Sequence, residues 1–549
     1  MPILLETTSL TQYAGERLLF QTDPLAIYEG DRIGLVGPNG SGKSTLLSIL
    51  SGRLRPDEGT VRARCPIAFF VQLGPGEETP GAEELSRFGL RDAHAPADRM
   101  SGGEQSRRKL AASLGKNAPL LFADEPTSNL DFEGIELFCR RMERQDTFLL
   151  VSHDRAVLDR LCTQIWELRE GRLFRYEGGY NAFERQKEEE LARRRFEAAA
   201  YVKEKERLER SMQSLREKQS AVRRAPSRMG NSETRLHKRS ETDTQSKIAQ
   251  GRKAIESRLA RLEKKEAPRE PEAVHFDFSL TDPPENKIPL RAEHLTLSAG
   301  NKRLLENAAF EVRRGEHVLL YGPNGCGKTT LLQFLCESIL HGNPQVFSAP
   351  KLRPGYFRQS LGNLDPGRTV LENAMRQAVQ SEGTVRSLLA RLLFRREDVF
   401  RPVSVLSGGE RVKLSFACLL VSSANFLLLD EPTNYLDMDS MRALQETLAQ
   451  YEGGFLLVTH DRRFADALAE TTLAFENKRL TRYEGGPSAM ERAKAAPKQE
   501  KEPMEQKVLE LRLAEVISRL SLPNCPDKEA LEEEFQALLR LKREAARGK

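Results

Sequence analysis

Short apolar runs punctuate the chain on either side of a charged middle segment, and several end at a glycine-rich or acidic turn. Arg32–Val36 and His317–Tyr321 are two of them. Each leads through glycines into a helical pattern, Leu46, Leu47 and Leu50 in the first case and Leu331, Leu332, Phe334 and Leu335 in the second. That succession predicts strand, loop and amphipathic helix. Leu120–Ala123, Phe148–Val151, Phe426–Leu429 and Phe455–Val458 are apolar at every position, as expected of strands buried on both faces of a mostly parallel sheet. The middle of the chain is different. From 181 to 266 glycine is nearly absent and charges alternate densely. Tyr201, Leu208, Leu215 and Val222 recur at seven-residue spacing with Met212 between them, and Ile248, Ile255 and Leu262 do so with Leu259 between. Such spacing predicts two long helices pairing along a narrow seam. Pro226 and Gly230, inside Arg223–Glu233, break the pattern into an antiparallel hairpin. In the tail, Leu509, Leu513, Val516 and Leu520 suggest one helix, and Leu531, Phe535, Leu538 and Leu541 another.

The chain also repeats itself at long range. GPNGSGKST at Gly37–Thr45 returns as GPNGCGKTT at Gly322–Thr330, 285 residues on. SGGE at Ser101 returns at Ser407 and DEPT at Asp124 returns at Asp430, both 306 residues on. SHDR at Ser152 returns as THDR at Thr459, and YEGG at Tyr176 returns at Tyr483, both 307 on. Order is kept and the offset makes one large jump, so the second copy carries about 20 extra residues between Gln359 and Ser407. A period this long means duplicated domains rather than a stack of small repeats. The expected organisation is a first copy at 1–180, a helical hairpin at 181–270 with its tip at about 223–233, a second copy at 271–487 and a helical tail at 488–549.

Composition narrows the class. No apolar run approaches the length of about 18 residues that a membrane-spanning helix needs. The start, MPILLETTSL, lacks the basic segment and apolar core of a secretory signal. Seven dispersed cysteines without metal spacing fit reduced thiols in a cytoplasm. Net charge is only +5, yet residues 181–270 hold 25 Lys/Arg and 16 Asp/Glu, a local excess of +9 that leaves −4 for the rest. Residues 214–240, around the hairpin tip, hold eight Lys/Arg against two Glu. A basic element between two nearly neutral halves suggests a polyanionic partner. Arg223, Arg224, Arg228, Arg235, Lys238 and Arg239 are the candidate contacts.

The repeated motifs carry the chemistry. A glycine-rich loop between a strand and a helix lets backbone N–H groups cradle phosphates at a helix N-terminus. The candidate loops are Gly37, Pro38, Asn39, Gly40, Ser41, Gly42, Lys43, Ser44 and Thr45, and Gly322, Pro323, Asn324, Gly325, Cys326, Gly327, Lys328, Thr329 and Thr330. Lys43 and Lys328 are expected to reach the β- and γ-phosphates of ATP, and the Ser44 and Thr329 hydroxyls to reach Mg²⁺. Asp124 and Asp430, at the ends of buried strands, suit a Mg²⁺ partner. Glu125 and Glu431, which follow them, can orient or deprotonate the attacking water. Ser101, Gly102, Gly103 and Glu104, with Ser407, Gly408, Gly409 and Glu410, place a serine and glycines at a helix start, an arrangement that receives anions. An ordinary helix cap is the competing reading for either copy alone. His153 and His460, just past apolar strands, fit a γ-phosphate contact, although a lone histidine is more often a structural residue.

Phosphate loop, SGGE, DEPT, the runs Ser128–Asp131 and Asn434–Asp437, and the paired histidines together resemble the ATP-binding-cassette superfamily over roughly 380 residues. The resemblance implies an α/β fold: two P-loop ATP-binding-cassette domains joined by a long antiparallel α-helical hairpin, with a short C-terminal helical hairpin. It implies that Gln72 and Gln359 sense Mg²⁺ and water. It also implies ATP sites shared head to tail, Gly37–Thr45 with Ser407–Glu410 and Gly322–Thr330 with Ser101–Glu104. Tyr13 stands where such cassettes stack adenine on an aromatic ring, whereas the second copy has Ser298 there. Two fused cassettes with SGGE motifs and a charged hairpin between them resemble the ABC-F family. That likeness implies a monomeric ATPase acting at the ribosome, entering from the exit site, with its hairpin near rRNA and the peptidyl-site tRNA. Only 28 residues separate Gln72 from Ser101, which leaves no room for the extra arm common in housekeeping members. The chain therefore looks similar to the antibiotic-resistance branch of the Vml and Vga type. The alternatives are a housekeeping ABC-F translation factor and a DNA-repair or transport-associated ATPase.

Overall fold

The computed structural model describes residues 1–71, 108, 118–128, 130–222, 246, 249–262, 277–300, 302–357, 364–394, 397–434, 436–495, 512–513, 515–517, 531 and 534–539. Both copies of the repeat are built on a six-stranded sheet. In the first, the strands lie in the order Arg172–Glu177, Gln164–Arg169, Arg32–Val36, Phe148–Val151, Leu120–Asp124 and Ile67–Val71. In the second, Arg479–Glu484, Thr471–Glu476, His317–Tyr321, Gly454–Val458, Phe426–Asp430 and Pro354–Phe357 follow the same order. Neighbours pair in parallel except for the hairpin at one edge of each sheet. A smaller antiparallel sheet accompanies each, with strands such as Ile3–Thr7 and Leu290–Ala299.

The all-apolar strands are explained by burial on both faces. Side chains alternate sides along a strand. Leu120, Phe122, Leu149 and Val151 point into one apolar cluster of the first cassette, while Leu121, Ala123, Phe148 and Leu150 point into another. In the second cassette, Phe426 and Leu428 enter a separate cluster, but Leu427 and Leu429 join the same one as Phe148 and Leu150. One apolar core therefore runs continuously from cassette to cassette.

Between Gln359 and Ser407, where the second copy is longer, lie helices Val370–Met375 and Glu382–Arg391 and the approach to helix Gly408–Val421. Thr369 closes the first with a capping box, its hydroxyl accepting from the Glu372 N–H while Glu372 accepts from the Thr369 N–H.

From the first cassette, helix Tyr180–Val222 runs for 43 residues, about 65 Å at 1.5 Å per residue. Segment 249–261 returns along it as helix. A Cβ on Gly251 would sit 3.5 Å from the Leu215 methyl, and Arg258 pairs with Glu204 at 3.6 Å, so the two helices are antiparallel. Leu208 is buried, and Tyr201, Met212, Leu215, Ile255, Leu259 and Leu262 are half-buried along the seam. The hairpin tip, with Arg223, Arg224, Arg228, Arg235, Lys238 and Arg239, lies outside the described residues. Residues 489–549 form a separate unit. Within it Leu513, Val516 and Leu538 are buried together with Leu531 and Phe535 beside them, and Arg512 faces Glu534 at 3.8 Å. Among the described residues no helix is long and apolar enough to cross a membrane.

Candidate functional site

The two phosphate loops are built alike. Gly42 and Gly327 precede their helices with φ of 100° and 109°, in the left-handed region that favours glycine. A Cβ there would also lie 2.9 Å from the Phe20 ring and 2.8 Å from Leu304. Lys43 and Lys328 open helices Lys43–Leu50 and Lys328–His341. The Lys43 ammonium donates to the Gly37 and Pro38 carbonyls at 2.8 and 3.0 Å, and Lys328 to those of Gly322 and Pro323 at 2.8 and 3.1 Å. Each ammonium is thus held over the mouth of its own loop, where a phosphate could replace the carbonyls. Burial lowers the Lys43 pKa, partly offset by the charges of Glu125, Asp437 and Asp124. Asp124 hydrogen-bonds Ser44, and the Thr329 hydroxyl donates to Asp430 Oδ1 at 3.1 Å. Hydroxyl and carboxylate oxygens side by side are what Mg²⁺ takes when the phosphates and water complete its shell. Among the described residues no cluster of His, Cys, Asp and Glu forms an all-protein metal cage.

Glu125 and Glu431 each leave their strand with φ of 46° and 49°. Non-glycine residues in this region carry strain of about 1–3 kcal/mol, held by the surrounding structure. Here it is held by the Glu125 N–H donating to Val151 O and the Glu431 N–H to Val458 O, both at 2.9 Å. The turn aims each carboxyl at the following strand's histidine. His153 Nε2 lies 3.3 Å from Glu125 Oε1, and His460 Nε2 lies 3.2 Å from Glu431 Oε1. These approaches lack hydrogen-bond alignment, so both Oε1 atoms are buried without a hydrogen-bond partner among the described residues. Burial pushes Glu125 up to about 8 and Glu431 up to about 7, with the neighbouring Asp124 and Asp430 adding to it. Burial, with Lys43 and Lys328 nearby, pushes both histidines down to about 4. The pairs therefore join a neutral imidazole to a readily protonated carboxyl rather than two full charges.

Each loop is closed by the other cassette. Asp131 caps helix Phe132–Met142 by accepting from the Gly134 N–H at 2.9 Å, and its second oxygen accepts from the Asn324 N–H at 3.0 Å. Asp437 does the same on helix Met438–Ala449, accepting from Ser440 at 2.9 Å and from the Asn39 N–H at 3.0 Å. The two bridges are related by the internal repeat, which makes the cassettes head to tail. Phe132 adds a stacked contact on Tyr321, ring centres 5.0 Å apart, and an edge contact to His460. A cavity of about 600 Å³ opens at the second loop, lined by Glu125, Ser128 and His153 from one cassette and by Lys302, Asn324, Lys328, Glu431 and His460 from the other. These donors, an ammonium and a loop of N–H groups facing a buried carboxyl, suit a nucleoside triphosphate and its attacking water.

Ser407 caps helix Gly408–Val421, accepting from the Glu410 N–H, while Glu410 accepts from the Ser407 N–H at 2.8 Å and hydroxyl at 2.7 Å. Gln72, Gln359 and Ser101, Gly102, Gly103 and Glu104 lie outside the described residues. Tyr13 is 44% exposed on strand Leu10–Ala14, its N–H held by Asp57 at 2.8 Å. Near its counterpart Ser298, the cavity at the second loop is lined by Ala299, Lys302 and Leu304, with no aromatic ring among these described residues. Phe132 and Lys302 are absent from the sequence-derived site, and Asp131 and Asp437 enter it only as the ends of the runs Ser128–Asp131 and Asn434–Asp437, with no role assigned. The structure gives both aspartates their role, a helix cap whose second oxygen spans to the other cassette.

Asp154 and Asp461 complete the interface. They cap helices Arg155–Leu161 and Arg462–Leu468 and are half-buried at the wall of the cavity. Burial raises both, and the charge of Asp461 raises Asp154 further, against Arg463 and backbone N–H groups. A raised carboxylate binds its proton more tightly in the folded state, so its contribution to stability is full in acid. That contribution falls once pH rises past the unfolded value of about 3.9. Asn caps a helix as well as Asp does. Asp154→Asn is therefore expected to flatten the fall of Tm between acid and neutral pH, measured by scanning calorimetry against the parent chain.

The profile described as ABC transporter matches residues 20–68 and 305–434. The chain is 31% identical to the ribosome protection protein VmlR of Bacillus subtilis (strain 168), across 98% of this chain and 97% of that one. It is 34% identical to the erythromycin resistance ATP-binding protein MsrA of Staphylococcus epidermidis, across 82% and 92%. Among solved structures, the RNase-L Inhibitor superposes with a TM-score of 0.59 at 21% identity, covering 88% of this chain and 92% of that one, a likeness of fold.

Proposed function

This chain belongs to the ABC-F family of tandem ATP-binding-cassette ATPases, and on that premise we propose that it is a ribosome-protection factor. In this reading it enters the ribosomal exit site in the cytoplasm and reaches with its hairpin toward the peptidyl-transferase centre. There it displaces an antibiotic. The observation that carries the reading is the identity with VmlR along 98% of the chain. The basic hairpin supports it, because Lys/Arg contacts to phosphate dominate RNA affinity. Arg223, Arg224, Arg228, Arg235, Lys238 and Arg239 are the proposed contacts to rRNA and tRNA.

The proposed cycle follows from the site. ATP is held between Gly37–Thr45 and Ser407–Glu410, and between Gly322–Thr330 and Ser101–Glu104. Lys43 and Lys328 leave their loop carbonyls for the β- and γ-phosphates, and Tyr13 faces the first adenine. Ser44 with Asp124, and Thr329 with Asp430, would hold Mg²⁺, assisted by Gln72 and Gln359. Bound there, the ion neutralises phosphate charge. Glu125 and Glu431 accept the proton of the attacking water, and His153 and His460 orient the γ-phosphate. Loss of the γ-phosphate removes the bridge between cassettes, so the clamp opens and the protein leaves.

The test is expression in a drug-sensitive bacterial host, with inhibitory concentrations measured for lincosamides, pleuromutilins and streptogramins A. A rise for at least one class is expected. No rise for any class from a chain that still pellets with ribosomes would replace drug protection with a housekeeping translation role.

A further inference from the structure

Glu167 is a buried carboxylate that the hydrolysis chemistry does not use. It is 2% exposed on strand Gln164–Arg169 and pairs in register with Val36, the residue that enters the first phosphate loop. The carboxylate accepts from the Lys187 ammonium at 2.7 Å and from the Tyr176 hydroxyl at 3.3 Å, and Arg169 approaches it at 3.5 Å. Lys187 stands on the first helix of the hairpin, one turn beyond Phe183, whose ring it overlies at 5.4 Å. Arg169 continues the chain of charges to Glu190 on the same helix at 3.8 Å. The second cassette lacks the device. Its register partner of Tyr321, at the equivalent position, is Ala474. The same sheet is thus built without the acid, and a buried ion pair is weak evidence for stability.

A neighbouring face of this helix root is bound to the second cassette. Arg442 pairs with Glu188 at 3.3 Å, and Arg463 approaches Glu184 at 3.8 Å and donates to Asn181 Oδ1 at 2.6 Å. Residues 184 and 188 share one helix face, and 183, 187 and 190 share another. A small cleft joins the parts: Gly37 and Pro38 of the first loop, Glu167, Lys187, and Asp437 and Met438 of the second cassette. Asp437 is the residue that bridges to the first loop at Asn39.

We infer that Glu167 and Lys187 are positioning residues that couple closure at the first ATP site to the orientation of the hairpin. One helix root is gripped by both cassettes on two faces, so relative movement of the cassettes must turn or tilt it. The Glu167–Lys187 pair fixes the root to the strand that carries the first loop, making that site the reference for the turn. This rests on the ABC-F reading only for what the hairpin tip meets, not for the movement itself.

The experiment uses the full chain in the Glu125→Gln/Glu431→Gln background, with spin labels introduced by amber suppression at Phe196 on the hairpin and Leu340 on the second cassette, both exposed. Pulsed dipolar spectroscopy measures their separation with and without ATP, and fluorescent ATP measures binding. The parent is expected to change its distance distribution on ATP addition. Lys187→Met and Glu167→Gln/Lys187→Met should bind ATP as the parent does and lose that change. Lys187→Arg should keep it, and Arg442→Ala, which cuts an exposed pair at the same root, should keep most of it. The double variant removes both charges, so no unpaired buried carboxylate remains to unfold the chain. A full ATP-driven change in the double variant overturns the coupling. A normal change in a parent that never pellets with ribosomes overturns the ribosome reading instead.

Discussion

Changing Glu125 and Glu431 together to glutamine is expected to lower ATP turnover by about 10²–10⁴-fold, the usual share of a general base. The substitution keeps the shape of each side chain and removes its capacity to take a proton. It should leave folding intact, because both carboxyls are buried and pushed up toward or above neutrality, and glutamine resembles their protonated form. ATP binding, carried by Lys43, Lys328 and the loop N–H groups, should persist. The variant should therefore accumulate in the closed, ATP-bound state and pellet with ribosomes in ATP, whereas the parent cycles off. Phosphate release, retention of fluorescent ATP and sedimentation read the three consequences separately. Turnover at the parental rate would remove both glutamates from the proton-transfer step.

The second large effect is expected at Asp131 and Asp437. Each carboxylate caps its own helix with one oxygen and holds the opposing phosphate loop with the other. A hydrogen bond to a charged group contributes about 1.5–3 kcal/mol. Asp131→Ala/Asp437→Ala should then cost about 3–6 kcal/mol of cassette closure, roughly 10²–10⁴-fold at 1.4 kcal/mol per decade. Each lost cap costs about 1 kcal/mol more in its helix. The asparagine pair separates the two roles, since Asn caps as well as Asp but accepts without charge. Half-maximal ATP for turnover should rise strongly for the alanine pair and less for the asparagine pair. Tm should fall for alanine and stay near the parental value for asparagine. Equal turnover curves for all three chains would show that the bridges do not support closure.

Much of this was set locally. The strands that end at Val36, Tyr321, Asp124 and Asp430 were legible because burial on both faces demands an unbroken apolar run. The loops Gly37–Thr45 and Gly322–Thr330 were legible because left-handed turns beside a core side chain need glycine. The hairpin was legible because its seam repeats every seven residues. What the chain pattern could not decide is which distant residues the fold sets side by side. Asp131 ends one of the repeated runs, and only the fold makes it a helix cap and brings its other oxygen to Asn324. Glu167 carries no motif of its own, and only the parallel pairing with Val36 and the docking of the hairpin root make it a buried partner of Lys187. Local sequence fixes backbone conformation and which face is buried, since both depend on neighbours a few residues apart. The ATP sites are composite, so their closure and their link to the hairpin exist only where tertiary packing sets the two cassettes against each other.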